Sequence, residues 1–157
     1  MTIFYDSLSN KIEKPQEVQA QWRIGSYSLV RNKDKQILMI KGFDHGLWEI
    51  PGGRVEIGEK IRDAAIRETY EETGYKILTT NDQPVYVGEG GWYRAKTKDF
   101  FQIVYFIFNS DLLDQNADAH VVNTIASAET EKVAWMDPKE LNLENCHPNF
   151  YKFLCTL

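Results

Sequence analysis

The sequence predicts a single α/β domain in which a mixed β-sheet is sandwiched between helices, an α/β/α arrangement. Three observations support this fold class. Residues 61–73 lack Gly and Pro and are rich in Ala, Glu and Arg, which favours one long helix. Residues 100–108 are nearly all apolar or aromatic, which is typical of a central strand. Shorter strand-like segments precede and follow the helix without a regular βαβ alternation, so the sheet is expected to be mixed.

The other elements follow from local patterns along the chain, taken as one domain, residues 1–157. Residues 1–20 are mixed and polar and are expected to form an N-terminal arm or an edge segment. Residues 23–30 and 36–41 flank a polar turn and predict a β-hairpin. Turn or loop signals are Pro51-Gly52-Gly53 and Gly90-Gly91. The remaining predictions are strands at 47–50, 85–88 and 133–136, a helical turn at 138–141 and a terminal helix at 149–157.

Composition excludes several classes of protein. The chain has 157 residues, 43% hydrophobic and 26% charged, which is typical of a globular domain. Its net charge of -5 argues against general nucleic-acid binding, which usually requires a basic surface. The sequence has no run of about 18 apolar residues and no signal-peptide pattern at its start, so we expect no membrane partner and a cytoplasmic location.

The predicted helix carries an unusual concentration of carboxylates. At about 100° per residue, Glu68, Glu71 and Glu72 share one face with Ala64 and Ala65. Like charges at three- and four-residue spacing repel each other, and the helix dipole disfavours anions near the C-terminus. The cluster therefore lowers helix stability unless a cation compensates its charge.

Two interpretations of this cluster are open. The first is a solvated acidic face with ion pairs to Arg62, Arg67 and Lys76. The second is a site for a hard divalent cation, because Mg²⁺ prefers carboxylate oxygens together with water and substrate phosphates. Small alanine side chains beside the acids would leave space for the ion and its ligand.

The segment from Gly53 to Tyr75 resembles the Nudix box, G-x5-E-x7-R-E-U-x-E-E-x-G-U, where U is a bulky apolar residue. A chance match at every invariant position has a probability on the order of 10⁻⁹ per window. Thr69 departs from the first U position, where we expect looser packing with the chemistry retained. The resemblance implies the Nudix fold for the whole chain. The invariant positions are occupied by Gly53, Glu59, Arg67, Glu68, Glu71, Glu72 and Gly74.

The resemblance also implies a metal centre. Nudix hydrolases use Mg²⁺ or Mn²⁺ to cleave the pyrophosphate linkage of nucleoside diphosphate derivatives. By position, Glu68 and Glu72 would be the principal metal ligands, and the carbonyl of Gly53 would join them. Glu71 would act as a third ligand or as a catalytic base, and Glu72 would share in catalysis.

Two further roles are implied by the family pattern. Arg67 and Glu59 would form an ion pair that orients the loop and the acids. A more distant acid often supplies the final base or ligand, and Glu129 is favoured over Glu131 for that role. Both acids are equally compatible with ordinary loop charges.

Candidate substrate contacts lie partly outside the box. Flat aromatic side chains are suited to a nucleobase, and arginine or lysine side chains are suited to phosphates. Each of these residues is also open to an ordinary core or surface role. The aromatic candidates are Phe43, Trp92 and Tyr93, and the basic candidates are Arg23 and Arg54, with Arg94 and Lys41 as additions.

The sequence leaves several substrate classes open. A small-molecule (deoxy)nucleoside triphosphate, such as an oxidised nucleotide, is the leading expectation. The position of Tyr93 after the box is typical of dinucleoside polyphosphate hydrolases, and hydrolysis of ADP-ribose or a nucleotide sugar is a further alternative. A non-catalytic nucleotide-binding regulator is the alternative of another class, disfavoured because such proteins typically lose box carboxylates. A homodimer is one option for the assembly.

Overall fold

The computed structural model describes residues 2–42, 46–114 and 130–157. Within these ranges the chain forms two sheets, two α-helices and one 3₁₀ turn at Pro138–Glu140. The helices are α1 (Ile61–Thr73) and α2 (Pro148–Leu154). The strands are β1 (Phe4–Tyr5), β2 (Lys11–Ile12), β3 (Gln21–Val30), β4 (Ile37–Gly42), β5 (Trp48–Glu49), β6 (Gly52–Arg54), β7 (Ile77–Thr79), β8 (Tyr86–Arg94), β9 (Asp99–Leu112) and β10 (Thr130–Met136).

The larger sheet is mixed, as predicted. Its strand order is β2-β1-β8-β9-β3-β6, with β7 paired to the far end of β9, and the smaller sheet has the order β10-β4-β5. Strand β9 is parallel to β3 and antiparallel to β8 and β7. The apolar sequence of β9 suits this central position, because its side chains are packed from both faces of the sheet.

The two helices cover opposite faces of the large sheet. Successive residues of β3 alternate between these faces. The Ser28 hydroxyl donates a hydrogen bond to the Ala65 carbonyl of α1 at 3.2 Å. The neighbouring Tyr27 packs its ring against Phe150 of α2, with centroids 4.7 Å apart. The predicted arrangement of a sheet between helices is therefore confirmed.

Helix α1 has the predicted bounds. It ends at Thr73 because Gly74 adopts the left-handed conformation, with φ of 71°, and donates its N–H to the Tyr70 carbonyl at 2.7 Å. Ala64 and Ala65 are fully buried against the sheet. This close approach brings the carboxylates of the last turns to the edge strand β6.

The predicted β-hairpin is wrong. Strand β3 pairs with β9 along its whole length and with β6 on its other edge, whereas β4 joins β10 and β5 in the smaller sheet. An isolated bridge between Arg31 and Ile37 is the pairing next to the turn. One edge of β3 is paired with β9 and the other with β6 and Pro51, so contacts with distant segments replace the local hairpin.

The predicted glycine loop at residues 90–91 is also wrong, because β8 runs through both positions. A Cβ on Gly91 would lie 2.4 Å from the Ile3 carbonyl oxygen, and one on Gly90 would lie 2.6 Å from the Asn149 amide oxygen. These glycines therefore let β1 and α2 approach the strand closely. The turn predicted at Pro51-Gly52-Gly53 is also replaced in part by a strand. Gly52 is the first residue of the short strand β6, which pairs with β3.

The N-terminal residues form a sheet edge rather than a free arm. Strand β1 pairs parallel with β8, and β2 pairs antiparallel with β1. In the described ranges, no helix has the length and apolar character needed to cross a bilayer.

Candidate active site

The carboxylates of α1 meet the backbone of β6. The Gly52 N–H donates a hydrogen bond to the Glu72 carboxylate at 2.9 Å. A Cβ on Gly53 would lie only 2.6 Å from the carboxyl carbon of Glu68, so the Gly53 backbone is packed directly against that group. Glycine is required at this contact because any side chain would displace Glu68.

Arg67 links the loop before α1 to the acids of the helix. Its guanidinium binds Glu59 through two N–H groups at 2.8 and 3.0 Å. It also donates at 2.9 Å to both Glu68 and Glu71, and at 3.1 Å to the Arg54 carbonyl. One planar cation thus holds three carboxylates and the end of β6 in a fixed arrangement.

The electrostatics of these acids differ. Burial raises the pKa of Glu68, and the guanidinium of Arg67 only partly offsets this effect. The hydrogen bond from Arg67 lowers the pKa of Glu59. A cation beside Glu68 would favour its ionised form, because opposite charge acts against desolvation.

Tyr27 is part of the candidate site and was not among the residues predicted from the sequence. Burial raises its pKa, and the nearby charges of Glu49, Glu72 and Glu68 raise it further. A Cβ on Gly52 would lie 2.5 Å from the Tyr27 ring, so this ring packs directly against the start of β6. No sequence motif marks Tyr27, and its place in the site depends on the pairing of β3 with β6.

The predicted phosphate contacts Arg23 and Arg54 lie on the face of the sheet that carries Tyr27. Arg54 is opposite Gly25 in the β3–β6 register, two residues from Arg23. The guanidinium carbon of Arg23 lies 3.5 Å above the centre of the Phe101 ring. Arg54 forms an exposed ion pair with Glu56 at 2.7 Å.

The predicted aromatic contacts are separated by the sheet. Trp92 lies on the α2 face, tilted against the His147 ring with centroids 5.2 Å apart. Tyr93 points to the other face and packs on Phe100 at 4.7 Å. Phe43 and Glu129 lie outside the described residues, and Glu131 is exposed on β10.

The acids fit a hard cation, although they do not form a complete ligand shell alone. Across residues 2–42, 46–114 and 130–157, no three acidic, histidine or cysteine side chains converge as a ready metal site. The fitting donors are the carboxylates of Glu68 and Glu72 and the closely packed Gly53 backbone. Such an all-oxygen set suits Mg²⁺, which keeps several water or phosphate ligands.

Comparison with known proteins identifies the family. The family model described as NUDIX domain matches residues 22–157. The chain belongs to the Nudix family. This match includes both sheets' main strands, α1 and α2, and it confirms the resemblance carried by the box.

Individual relatives are similar over different lengths. A Bacillus subtilis (strain 168) protein provisionally named 8-oxo-dGTP diphosphatase is 45% identical over 62 residues, 40% of this chain and 42% of that protein. The chain thus spans less than half the length of this relative. Nucleoside triphosphatase NudI of Escherichia coli O81 (strain ED1a) is 31% identical over 122 residues, 74% of this chain and 77% of NudI.

Solved structures confirm the Nudix fold. The MutT protein from Methanosarcina mazei Go1 matches with a TM-score of 0.65 and 20% identity, covering 89% of this chain and 95% of that one. A NUDIX hydrolase from Nitrosomonas europaea matches with a TM-score of 0.63 and 19% identity, covering 87% of both chains. At these identities the likeness shows the fold alone.

Proposed function

We propose that this Nudix protein is a Mg²⁺-dependent hydrolase that cleaves the pyrophosphate linkage of a nucleoside diphosphate derivative, with a (deoxy)nucleoside triphosphate as the leading substrate. The observation that carries the proposal is the packing of Glu68 and Glu72 against Gly52 and Gly53. The names of the Bacillus relative and of NudI support a triphosphate substrate.

In the proposed mechanism, different residues of the chain bind the cation, position its ligands and accept a proton. Glu68, Glu72 and the Gly53 carbonyl would hold the cation, while Arg67 keeps Glu68 in place. A bound divalent cation would neutralise the pyrophosphate and lower the pKa of a water molecule. Glu71, or Glu129 from the sequence pattern, would accept the proton of the attacking water.

A substrate panel with a matched pair of variants tests this proposal. The panel contains nucleoside triphosphates, oxidised nucleotides, dinucleoside polyphosphates, ADP-ribose and nucleotide sugars, each with Mg²⁺ or Mn²⁺. Glu72→Gln is expected to reduce kcat by about 10²–10⁴-fold, the range typical of a lost metal ligand or proton acceptor. Glu144→Gln, at an exposed acid between the 3₁₀ turn and α2, serves as the control and should retain full activity.

The outcomes separate an enzyme from a binding protein. Metal-dependent cleavage by the wild type and by Glu144→Gln, but not by Glu72→Gln, supports the hydrolase. Absence of cleavage across the panel, together with a nucleotide that raises the melting temperature, would indicate a nucleotide-binding regulator instead.

A further inference from the structure

Three arginines from separate strands converge on one face of the large sheet. Arg23 of β3 and Arg94 of β8 both lie over the ring of Phe101, at 3.5 and 5.5 Å from its centre. Arg54 of β6 lies opposite Gly25, two residues along β3 from Arg23. All three point to the face that carries Tyr27, because alternate residues of paired strands share a face.

This cluster carries more positive than negative charge. Within the described part of the chain, the carboxylates that accompany it are Glu56, paired with Arg54, and Asp99, which faces Arg94 in the β8–β9 register and also influences Arg23. Burial lowers the pKa of Arg23, and the charges of Arg94 and Arg54 lower it further. Bringing these like charges together costs free energy that an anion would recover.

The side chains of two of the arginines make no hydrogen bond to protein within the described ranges. Among the described residues, the guanidinium groups of Arg23 and Arg94 make no hydrogen bond, and their contact is with the Phe101 ring. Stacking on a ring uses the flat face of a guanidinium and leaves its in-plane N–H donors available. Such donors match the oxygen atoms of phosphate.

The cluster is continuous with the candidate metal site. Arg54 directly follows Gly53, which is packed against Glu68, and the Arg54 carbonyl accepts a hydrogen bond from Arg67. Gly25 lies between Arg23 and Tyr27 on this face, and the Tyr27 ring packs over it, since a Cβ on Gly25 would lie 2.8 Å from that ring. Arg54 therefore joins the cluster to the candidate metal site through the backbone of β6, and Arg23 is its near neighbour across the strand pair.

We propose that Arg23, Arg54 and Arg94 form a polyphosphate clamp, which binds phosphoryl groups beyond the two that share the cleaved linkage. The clamp selects nucleotides with three or more phosphates over those with two, such as ADP-ribose. This inference rests on the proposed function for the location of the cleaved linkage, but the anion site itself can be measured without turnover.

Steady-state kinetics of arginine variants test the selectivity. Arg23→Gln and Arg94→Gln should each raise the KM for a nucleoside triphosphate by about tenfold and leave kcat within about twofold, because they remove binding shared by ground and transition states. Their kcat/KM for ADP-ribose should change by less than about twofold. Arg31→Gln removes the same charge just beyond the opposite end of β3 and should behave as the wild type.

Calorimetric binding of inorganic triphosphate and inorganic pyrophosphate, with Mg²⁺ present, tests the anion site directly. The wild type should bind triphosphate more tightly than pyrophosphate, with an affinity that falls as salt rises. Arg23→Gln should reduce this preference, whereas Arg23→Lys should retain part of it, since it keeps the charge and loses the planar fork. Circular dichroism confirms that each variant is folded.

The results distinguish this inference from the proposed function. Unchanged KM values and triphosphate binding in the variants would overturn the clamp while hydrolysis by the wild type leaves the proposed function intact. An equal loss for ADP-ribose and the triphosphate would also overturn it. If the wild type hydrolyses nothing yet binds triphosphate through these arginines, the proposed function fails and the anion site stands.

Discussion

Arg67 organises the candidate site at the scale of single residues. It binds Glu59 through two N–H groups and holds Glu68 and Glu71 at the same time. From the sequence, an acidic face paired with arginines and a metal site were competing interpretations of these carboxylates. The structure shows that Arg67 forms ion pairs with Glu68 and Glu71. Glu72 instead accepts a hydrogen bond from the Gly52 N–H of β6, and Glu68 also packs against Gly53 of that strand. The ion-paired face and the proposed cation site are therefore parts of one arrangement.

The Glu59–Arg67 pair predicts a pH-dependent stability difference. Glu59→Gln should lower the free energy of unfolding by about 1 kcal/mol near neutral pH, the upper range for a partly exposed ion pair. Because the pKa of Glu59 is lowered in the folded protein, its contribution is fully present above the ordinary glutamate pKa. The contribution is lost as the pH falls through the lowered value.

Urea titrations of both proteins at about pH 7 and about pH 3 measure this effect. Glu68, whose pKa is shifted in the opposite direction, is present in both proteins, so its contribution largely cancels in the difference. A stability difference that is equally large at both pH values would contradict the prediction.

At the scale of elements, hydrogen bonds join α1 to β3. Thr69 is fully buried, and its hydroxyl oxygen lies 2.9 Å from the Ser28 hydroxyl and 2.7 Å from the Ala65 carbonyl. Ser26 similarly donates to the Ile61 carbonyl at 2.6 Å. The looser packing expected at Thr69 is not what the structure shows, because Ser28 provides a polar partner for the threonine.

A double-mutant cycle tests this coupling. Thr69→Val should lower the free energy of unfolding by about 1–2 kcal/mol, because it leaves Ser28 with one partner fewer in a buried interface. Ser28→Ala should have a similar cost. The double variant should lose less than the sum of the two, since neither polar group then lacks its partner. Additive losses in denaturant titrations would show that the two hydroxyls act independently.

At the scale of the whole molecule, the two cysteines lie in contrasting environments. Cys146 is fully buried in the core on the α2 side of the sheet, and Cys155, just after α2, is exposed. Burial raises the pKa of the Cys146 thiol to about 12. The thiolate is the reactive form of cysteine. Cys146 is therefore unreactive for two reasons: reagents cannot reach it, and its thiol stays protonated.

Thiol reactivity therefore reports on global unfolding. A thiol reagent should modify Cys155 quickly in the native protein and Cys146 only as the molecule unfolds. In a Cys155→Ala variant, the modification rate should rise with denaturant along the same transition as the loss of circular dichroism. Fast modification of this variant without denaturant would show that the α2 side of the core opens locally.

The sequence by itself determined the local features of this protein. Helix α1, its glycine stop and the spacing of Glu68 and Glu72 depend on backbone preferences and periodicity within a short segment, so they could be predicted. The family followed from the same segment, because spacing along one helix and its preceding loop defines the box.

Only the tertiary structure decided which distant segments meet. The pairing of β3 with β9 and β6 rather than with β4 depends on long-range contacts. The same is true of the strand through Gly90 and Gly91 and of the packing of Tyr27 against β6. The physical reason is that burying apolar surface stabilises a contact between two segments whatever their separation in the chain. The same contacts bring Arg23, Arg54 and Arg94 together from three strands, a grouping that no local pattern in the sequence reveals.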